Sequence, residues 1–365
     1  MTPDPDSRFR PFIVVRKVRE SSTICSFHLA PQSPEDWRPF EAGQFLTIQV
    51  PIAAGGSVAR NYTVSSAPTE VGLYRITVKK ELAPSVGIED GRSSCWLHDI
   101  VEEGSILNID RPRGAFKLDR SSRRPVILLS GGVGITPTVS MLKVLAADSD
   151  RPVWFIHACD SGEVHALADE VEALCSQRHA ITVHYCYRFP TAGDVDKARH
   201  HSVGFVSRQT LQSLLPLDDY EVYMCGPPPF MQAMYALLTS IGIDKSRIAY
   251  EFFGPASLLV PAKESPKQAP AAANGDGFSA DTINVTLQRT GERYAWDNTA
   301  VSLLTFLEDQ GLEPSFSCRA GICGTCLQTL ASGDVEYVEE PLNDPAPGKV
   351  LLCCAKPTSS IVLDL

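Results

Sequence analysis

Residues 125–147 read PVILLSGGVGITPTVSMLKVLAA: an apolar run, the turn Ser130-Gly131-Gly132-Val133-Gly134-Ile135-Thr136-Pro137, and then a stretch with helical spacing. An unbroken apolar run that stops at a glycine-rich turn has the pattern of a strand buried on both faces that feeds a helix. Toward the C-terminus the rhythm repeats, with PVWFIHA from Pro152, HALADEVEALC from His165, ITVHYCY from Ile181, YEVYMCGPPPF from Tyr220, MQAMYALLTSIG from Met231 and IAYEFFGP from Ile248. Strands alternating with amphipathic helices predict βαβ units, and so a parallel α/β sheet over residues 123–255.

Upstream the pattern changes. FIVVRKV (12–18), QFLTIQV (44–50) and LYRITVKK (73–80) are short runs of β-branched and aromatic residues, with Pro51 and Gly55-Gly56 between runs. They predict a small antiparallel barrel or sandwich over residues 1–122. Downstream, residues 256–279 are rich in Pro, Ala, Lys and Gly and read as a linker. TINVTLQR (282–289), ERYAW (292–296), the helical VSLLTFLEDQ (301–310), a cysteine loop and IVLDL (361–365) then predict an α+β domain over residues 280–365. The chain is thus expected to be multi-domain, with three folded parts in 365 residues.

Apolar residues make up 44% and charged residues 21%, an ordinary globular balance. The 33 basic and 43 acidic residues give a formal charge of −10. That surplus argues against a nucleic-acid partner, which needs clustered Lys and Arg, and against an anionic membrane surface. The N-terminal MTPDPDSRFRPF lacks the basic start and apolar stretch of a secretory signal, and no uncharged apolar run reaches spanning length. Eleven cysteines in a chain of this length fit a reducing cytoplasm with a metal-binding subset better than a disulfide framework.

That subset is Cys318-Arg319-Ala320-Gly321-Ile322-Cys323-Gly324-Thr325-Cys326, spaced C-x4-C-x2-C. Thiolates are soft ligands suited to iron, and Gly321 and Gly324 let a tight loop wrap a cluster with its amides near the sulfurs. Zinc is the alternative, although its sites usually come as two C-x2-C pairs. The spacing resembles that of the plant-type 2Fe-2S ferredoxins, which implies a β-grasp fold over residues 280–365. In that family a proline follows the last ligand by four residues, and Pro357 stands so to Cys353. The resemblance therefore implies Cys318, Cys323, Cys326 and Cys353 as ligands, with the adjacent Cys354 as the rival for the fourth place.

Arg60-Asn61-Tyr62-Thr63 resembles the R-x-Y-[ST] signature of the ferredoxin-NADP reductase superfamily. Gly91-Arg92-Ser93-Ser94-Cys95-Trp96-Leu97 resembles its G-x-x-S-x-x-L element, at a helix N-terminus suited to a diphosphate. Arg113-Gly114-Ala115-Phe116 stands where the family closes its barrel. The resemblance implies FAD, with FMN as the alternative, bound by Arg60, Tyr62, Thr63, Val78, Lys79, Gly91, Ser93 and Ser94. It implies a nicotinamide coenzyme on Gly131, Gly132, Gly134, Thr136, Gly226 and Pro227, with Cys225 beside the carbon that gives up hydride. Glu251 and Phe253, in Tyr250-Glu251-Phe252-Phe253, are the other catalytic candidates, Phe253 lying near the flavin as in flavohaemoglobin-type reductases. Asp160 stands where NADPH-using relatives often carry Arg and would repel a 2′-phosphate, so NADH is expected.

The whole chain resembles the three-domain reductase components of Rieske-type oxygenases, which implies electron flow from NADH through FAD and a cluster near about −400 mV to a separate protein. The chain carries no Rieske or haem-attachment motif of its own. The expected acceptor is a terminal oxygenase, a Rieske-type monooxygenase or demethylase, with a hybrid-cluster protein or other metalloprotein as runner-up. A redox-sensing subunit and a cofactor-free structural protein are the readings of other classes. Residues 280–365 carry 12 acidic and 5 basic residues, a surplus that either steers the domain to a basic partner or aids solubility.

Overall fold

The computed structural model describes residues 8–51, 55–83, 91–253, 283–312, 314–316, 319, 321, 324–342 and 344–365. The chain divides into two compact units, Met1–Phe253 and Gly254–Leu365. The 256–279 stretch read as a linker lies outside the described residues. Among the described residues no helix is long and apolar enough to cross a membrane.

The first unit opens with an antiparallel sheet built from β1 (Arg10–Arg19), β2 (Ile24–Pro31), β3 (Phe45–Pro51), β4 (Ser57–Thr63), β5 (Tyr74–Lys79) and β6 (Ile106–Ile109), in the order β4-β3-β6-β1-β2-β5. A bridge between Val64 and Ile76 brings the β4 edge to the β5 edge and rolls the sheet into a barrel. Alternate residues such as Phe12, Val14, Phe27, Leu29, Leu46, Ile48 and Ile76 point inward and are at most 2% exposed. On the opposite, equally buried face of β2 and β5 three hydroxyls meet, with Thr77 Oγ1 2.8 Å from both Ser26 Oγ and Ser65 Oγ. One helix, α1 (Arg92–Asp99), lies beside β5.

The second sheet of this unit is parallel, in the order β10-β9-β8-β7-β11-β12. Its strands are β7 (Val126–Gly131), β8 (Val153–Cys159), β9 (Ile181–Tyr187), β10 (Ser202–Val203), β11 (Glu221–Gly226) and β12 (Ile248–Phe252). Every residue of β7 is buried, as the apolar run predicts. Helices α2 (Ile135–Asp148), α3 (Ala168–Ser176), α4 (Ala192–Asp196), α5 (Arg208–Leu214) and α6 (Pro228–Ser240) connect the strands. Next to β7 lie β8 on one side and β11 on the other, so the strand order reverses there and opens a crevice at the carboxyl ends. One apolar core joins the two sheets, since Ile24, Phe116 and Leu118 pack in the same cluster as Leu128, Val139 and Cys225.

The second unit holds β13 (Asn284–Leu287), β14 (Arg293–Ala295), α7 (Leu303–Asp309), β15 (Leu327–Ser332), β16 (Val335–Tyr337), β17 (Lys349–Leu351), β18 (Ala355–Pro357) and β19 (Ile361–Leu363). The main sheet runs β14-β13-β19-β15-β17, with β13 and β19 parallel, and β16 pairs β18. Helix α7 packs Leu303, Leu304, Phe306 and Leu307 into the core, where the rings of Trp296 and Phe306 lie 4.9 Å apart. Its N-terminus is capped by the Ser302 side chain, which accepts the Thr305 amide.

Candidate active site

The expected flavin-side residues lie on two strands that meet at the barrel seam: Arg60, Tyr62 and Thr63 on β4, Val78 and Lys79 on β5. Arg60 is exposed, and Tyr62 packs against the barrel core, where burial pushes its phenol pKa up. Thr63 is 4% exposed and its Oγ1 has no hydrogen-bond partner among the described residues. A buried hydroxyl left unpaired costs ~1–3 kcal/mol, so this one suits a polar ligand atom.

Helix α1 is tied to the end of β5. His98 Nε2 lies 2.8 Å from the Val78 carbonyl, Gly91 N donates to Glu81 O at 2.7 Å, and Ser94 Oγ donates to Gly91 O at 2.9 Å. Ser93 and Ser94 are buried. A side chain on Gly91 would place its Cβ 2.8 Å from that of Glu81, so glycine is required for β5 and the helix start to meet this closely.

Across the crevice, the 131–134 turn packs backbone to backbone on the end of β11. A Cβ on Gly134 would stand 2.2 Å from Cys225 O, and one on Gly226 would stand 3.2 Å from Gly131 Cα. The chain turns at Gly132 with φ +53°. Thr136 is buried and donates its hydroxyl to Val133 O at 3.1 Å, and Pro227 stands at the N-cap of α6. This turn lies against β5, with Cα atoms within 8 Å, so the coenzyme-side and flavin-side candidates share one crevice.

Cys225 is fully buried beside Ser130 of β7 and Glu251 of β12. Burial first, and the Glu251 carboxylate second, raise its thiol pKa well above the ordinary value, so it is a neutral S–H rather than a nucleophile. Phe253 is partly buried and packs on the core cluster that contains Cys225.

Asp160 is exposed immediately after β8. The loop that carries it is fixed at two points: Asp194 Oδ2 accepts Gly162 N at 3.1 Å, and Ser22 of the barrel donates both its amide and its hydroxyl to Glu163 O, at 2.9 and 2.8 Å. Beside it the Arg188 guanidinium lies between the exposed rings of Phe189 and Phe205, 4.6 and 5.1 Å from their centroids, while Phe189 N donates to Asp160 O at 2.7 Å. Against the interior strand β8 two buried histidines stack at 4.5 Å, His157 bonded to Ser130 Oγ at 2.8 Å and His165 to the Tyr187 hydroxyl at 2.7 Å. Neither group emerges from periodicity, because both depend on which strand ends become neighbours. An aromatic–basic run such as Tyr187-Arg188-Phe189 at a strand end is the one signal that singles out the first.

In the second unit, Cys318 and Cys323 lie outside the described residues. Cys326 and Cys353 are buried, their sulfurs 3.2 Å apart, and Gly321 N donates to Cys353 Sγ at 3.3 Å. The Cys354 thiol instead lies 3.7 Å from Leu351 O, and a Cβ on Gly321 would meet its sulfur at 2.9 Å. Gly321 and Gly324 take φ +69° and +74°, and Arg319, at φ +50°, pairs both guanidinium nitrogens with Glu308 at 2.9 and 2.6 Å. Paired buried thiols and an amide aimed at one of them fit a sulfur-ligated cluster.

Comparison with known proteins matches three family models: the oxidoreductase FAD-binding domain over residues 11–118, the oxidoreductase NAD-binding domain over 128–235, and the 2Fe-2S iron-sulfur cluster binding domain over 285–358. Residues of the first unit are similar to flavohemoproteins, 43% identical over 254 residues to that of Bacillus thuringiensis subsp. konkukian and 38% over 249 to that of Bacillus subtilis. The matched parts are 69% and 68% of this chain, and they span only 62% and 60% of those relatives. Among solved structures, the FAD/NAD-binding domain of nitric oxide dioxygenase from Vibrio cholerae is 33% identical with a TM-score of 0.60, covering 67% of this chain and 99% of that one. Phthalate dioxygenase reductase, described as modular for electron transfer from pyridine nucleotides to [2Fe-2S], is 25% identical with a TM-score of 0.54 and covers 98% of both chains.

Proposed function

Since this chain belongs to the ferredoxin-NADP reductase superfamily, as an oxidoreductase with FAD-binding, NAD-binding and 2Fe-2S domains in that order, we propose that it oxidises NADH and passes the electrons singly to a separate metalloprotein, a Rieske-type oxygenase. The observation that carries the reading is the likeness to phthalate dioxygenase reductase along almost the whole of both chains. Together the bound groups supply the conversion of one hydride into single electrons.

In this reading the chain's residues bind and orient. Arg60, the 91–94 helix start and the Thr63 hydroxyl hold the flavin's phosphates and ring, with Tyr62, Val78 and Lys79 along the seam. The 131–134 turn, Thr136 and Gly226-Pro227 cradle the coenzyme's pyrophosphate and nicotinamide ends. The uncharged Cys225 would stand on the nicotinamide side of the crevice, with Glu251 and Phe253 as its neighbours there. Asp160 would disfavour a 2′-phosphate on the adenosine ribose, while Arg188, Phe189 and Phe205 would offer flat surfaces for the adenine. Cys318, Cys323, Cys326 and Cys353 hold the irons. The acidic surplus of residues 280–365 favours an acceptor with a basic docking face, so turnover with that acceptor falls as salt rises.

The test is anaerobic. The purified protein should contain flavin and two irons per chain, and NADH should bleach the flavin and then produce the paramagnetic signal of a reduced 2Fe-2S centre. Flavin bleaching with no such signal, in a protein holding zinc in place of iron, would remove the single-electron reading.

A further inference from the structure

The chain leaves the strand that carries Arg60, Tyr62 and Thr63 and turns through residues 65–70, and the helices of the parallel sheet hold this turn at two points and the neighbouring Arg75 at a third. Ser140 of α2 donates its hydroxyl to Ser66 O at 2.8 Å. Lys143, one turn further along α2, pairs with Glu70 at 3.2 Å. Glu170 of α3 pairs with Lys143 at 2.7 Å through one oxygen and with Arg75 of β5 at 2.8 Å through the other. Arg75, only 7% exposed, in turn donates to the Ser65 carbonyl at 2.7 Å and to Ser65 Oγ at 3.0 Å. Burial alone would raise the Glu170 carboxyl pKa, but the Arg75 and Lys143 charges outweigh it and hold the group ionised.

The turn at 131–134 opens α2, so one helix carries the coenzyme cradle at its start and the hold on the flavin-side strand at its middle. Ion pairs this shielded add little net stability, because desolvation offsets their attraction, but a displaced arrangement would strand a charge. On the proposed reductase reading, we infer that Glu170 is a positioning residue for hydride transfer: bridging Arg75 and Lys143, it sets the distance between the flavin-side strand and the nicotinamide turn without touching either cofactor.

The test is Glu170→Gln, which keeps shape and removes charge, in the full holoprotein. Stopped-flow bleaching of flavin by NADH should show a limiting rate lower on the order of tenfold, within what misplacement by a fraction of an ångström costs, with the half-saturating NADH concentration unchanged. Amide hydrogen exchange at residues 65–70 should rise in the same variant, a readout independent of turnover. If Glu170→Gln loses flavin on purification, Lys143→Gln carries the same test, since it leaves Arg75 and Ser65 intact. An unchanged limiting rate overturns the inference, as does a rise confined to the half-saturating concentration, which would make Glu170 a binding residue. Should NADH fail to bleach even the wild-type flavin, the reductase reading fails, and the exchange measurement still decides whether Glu170 clamps the two sheets.

Discussion

Cys326 and Cys353, 27 residues apart in the chain, hold their sulfurs 3.2 Å from each other, and only the second receives the Gly321 amide. The neighbouring Cys354 packs its thiol toward Leu351 O instead. Cys353→Ser should therefore lose most of the protein's iron and its red-brown cluster absorbance, leaving the yellow of the flavin, whereas Cys354→Ala should keep iron and cluster absorbance alike. Iron analysis and absorbance spectra check this, and the opposite pattern would transfer the fourth ligand to Cys354.

Gly134→Ala should be among the most damaging single changes in the first unit. Its Cβ would stand 2.2 Å from Cys225 O, where rigid backbone and not a movable side chain must give way. Overpacking of this kind costs ~1–3 kcal/mol or more. The expected result is a lowered unfolding temperature with NADH-driven flavin reduction lost, while dithionite still reduces the flavin.

On the proposed reading coenzyme choice rests on Asp160, which is exposed at the end of β8. Asp160→Ser should improve kcat/KM for NADPH relative to NADH on the order of tenfold, which lies between the water and protein-surface limits for two charges about 4 Å apart. Equal ratios in variant and wild type would remove Asp160 from coenzyme selection.

The stacked pair His157 and His165 makes the first unit acid-sensitive. Burial keeps both neutral, lowering His157 well below the ordinary 6.5 and His165 to about 4, with Arg199 adding to the latter. In the unfolded chain each takes up its proton near 6.5, so between that value and about 4 the unfolded state binds more protons. The stabilisation is fully present above 6.5 and is lost as pH falls toward 4. The unfolding temperature should drop on the order of 5 °C from about pH 7 to 5, and His165→Asn should flatten that slope.

Much of this fold is legible because β7, β8, β9 and α2 bury nearly everything their apolar runs suggest. The barrel is less so. β2 is buried on both faces, with Phe27 and Leu29 in the barrel and Ile24 and Ser26 on the other side, where Ser26 at 0% exposure is satisfied by Thr77, so the alternation of a half-exposed strand is hidden. Helix α3 begins at Ala168, not at His165 as its composition suggests, because His165 is drawn into the stack and Leu167 takes φ +61° just before the helix. The motif residues of the crevice are readable from local patterns that nucleotide-binding turns require. Arg75, Glu170 and Lys143 are not, since nothing in one strand and two helices announces that their side chains will meet.

In the second unit, the central place in the main sheet belongs to β19, flanked by β13 and β15. All four candidate ligand cysteines precede it in the chain. The thiols thus come earlier in the chain than the strand that completes their frame, and the loop gains its scaffold only when residues 361–363 take their place between β13 and β15. Closing the metal-binding loop is accordingly tied to the last step of assembling this sheet.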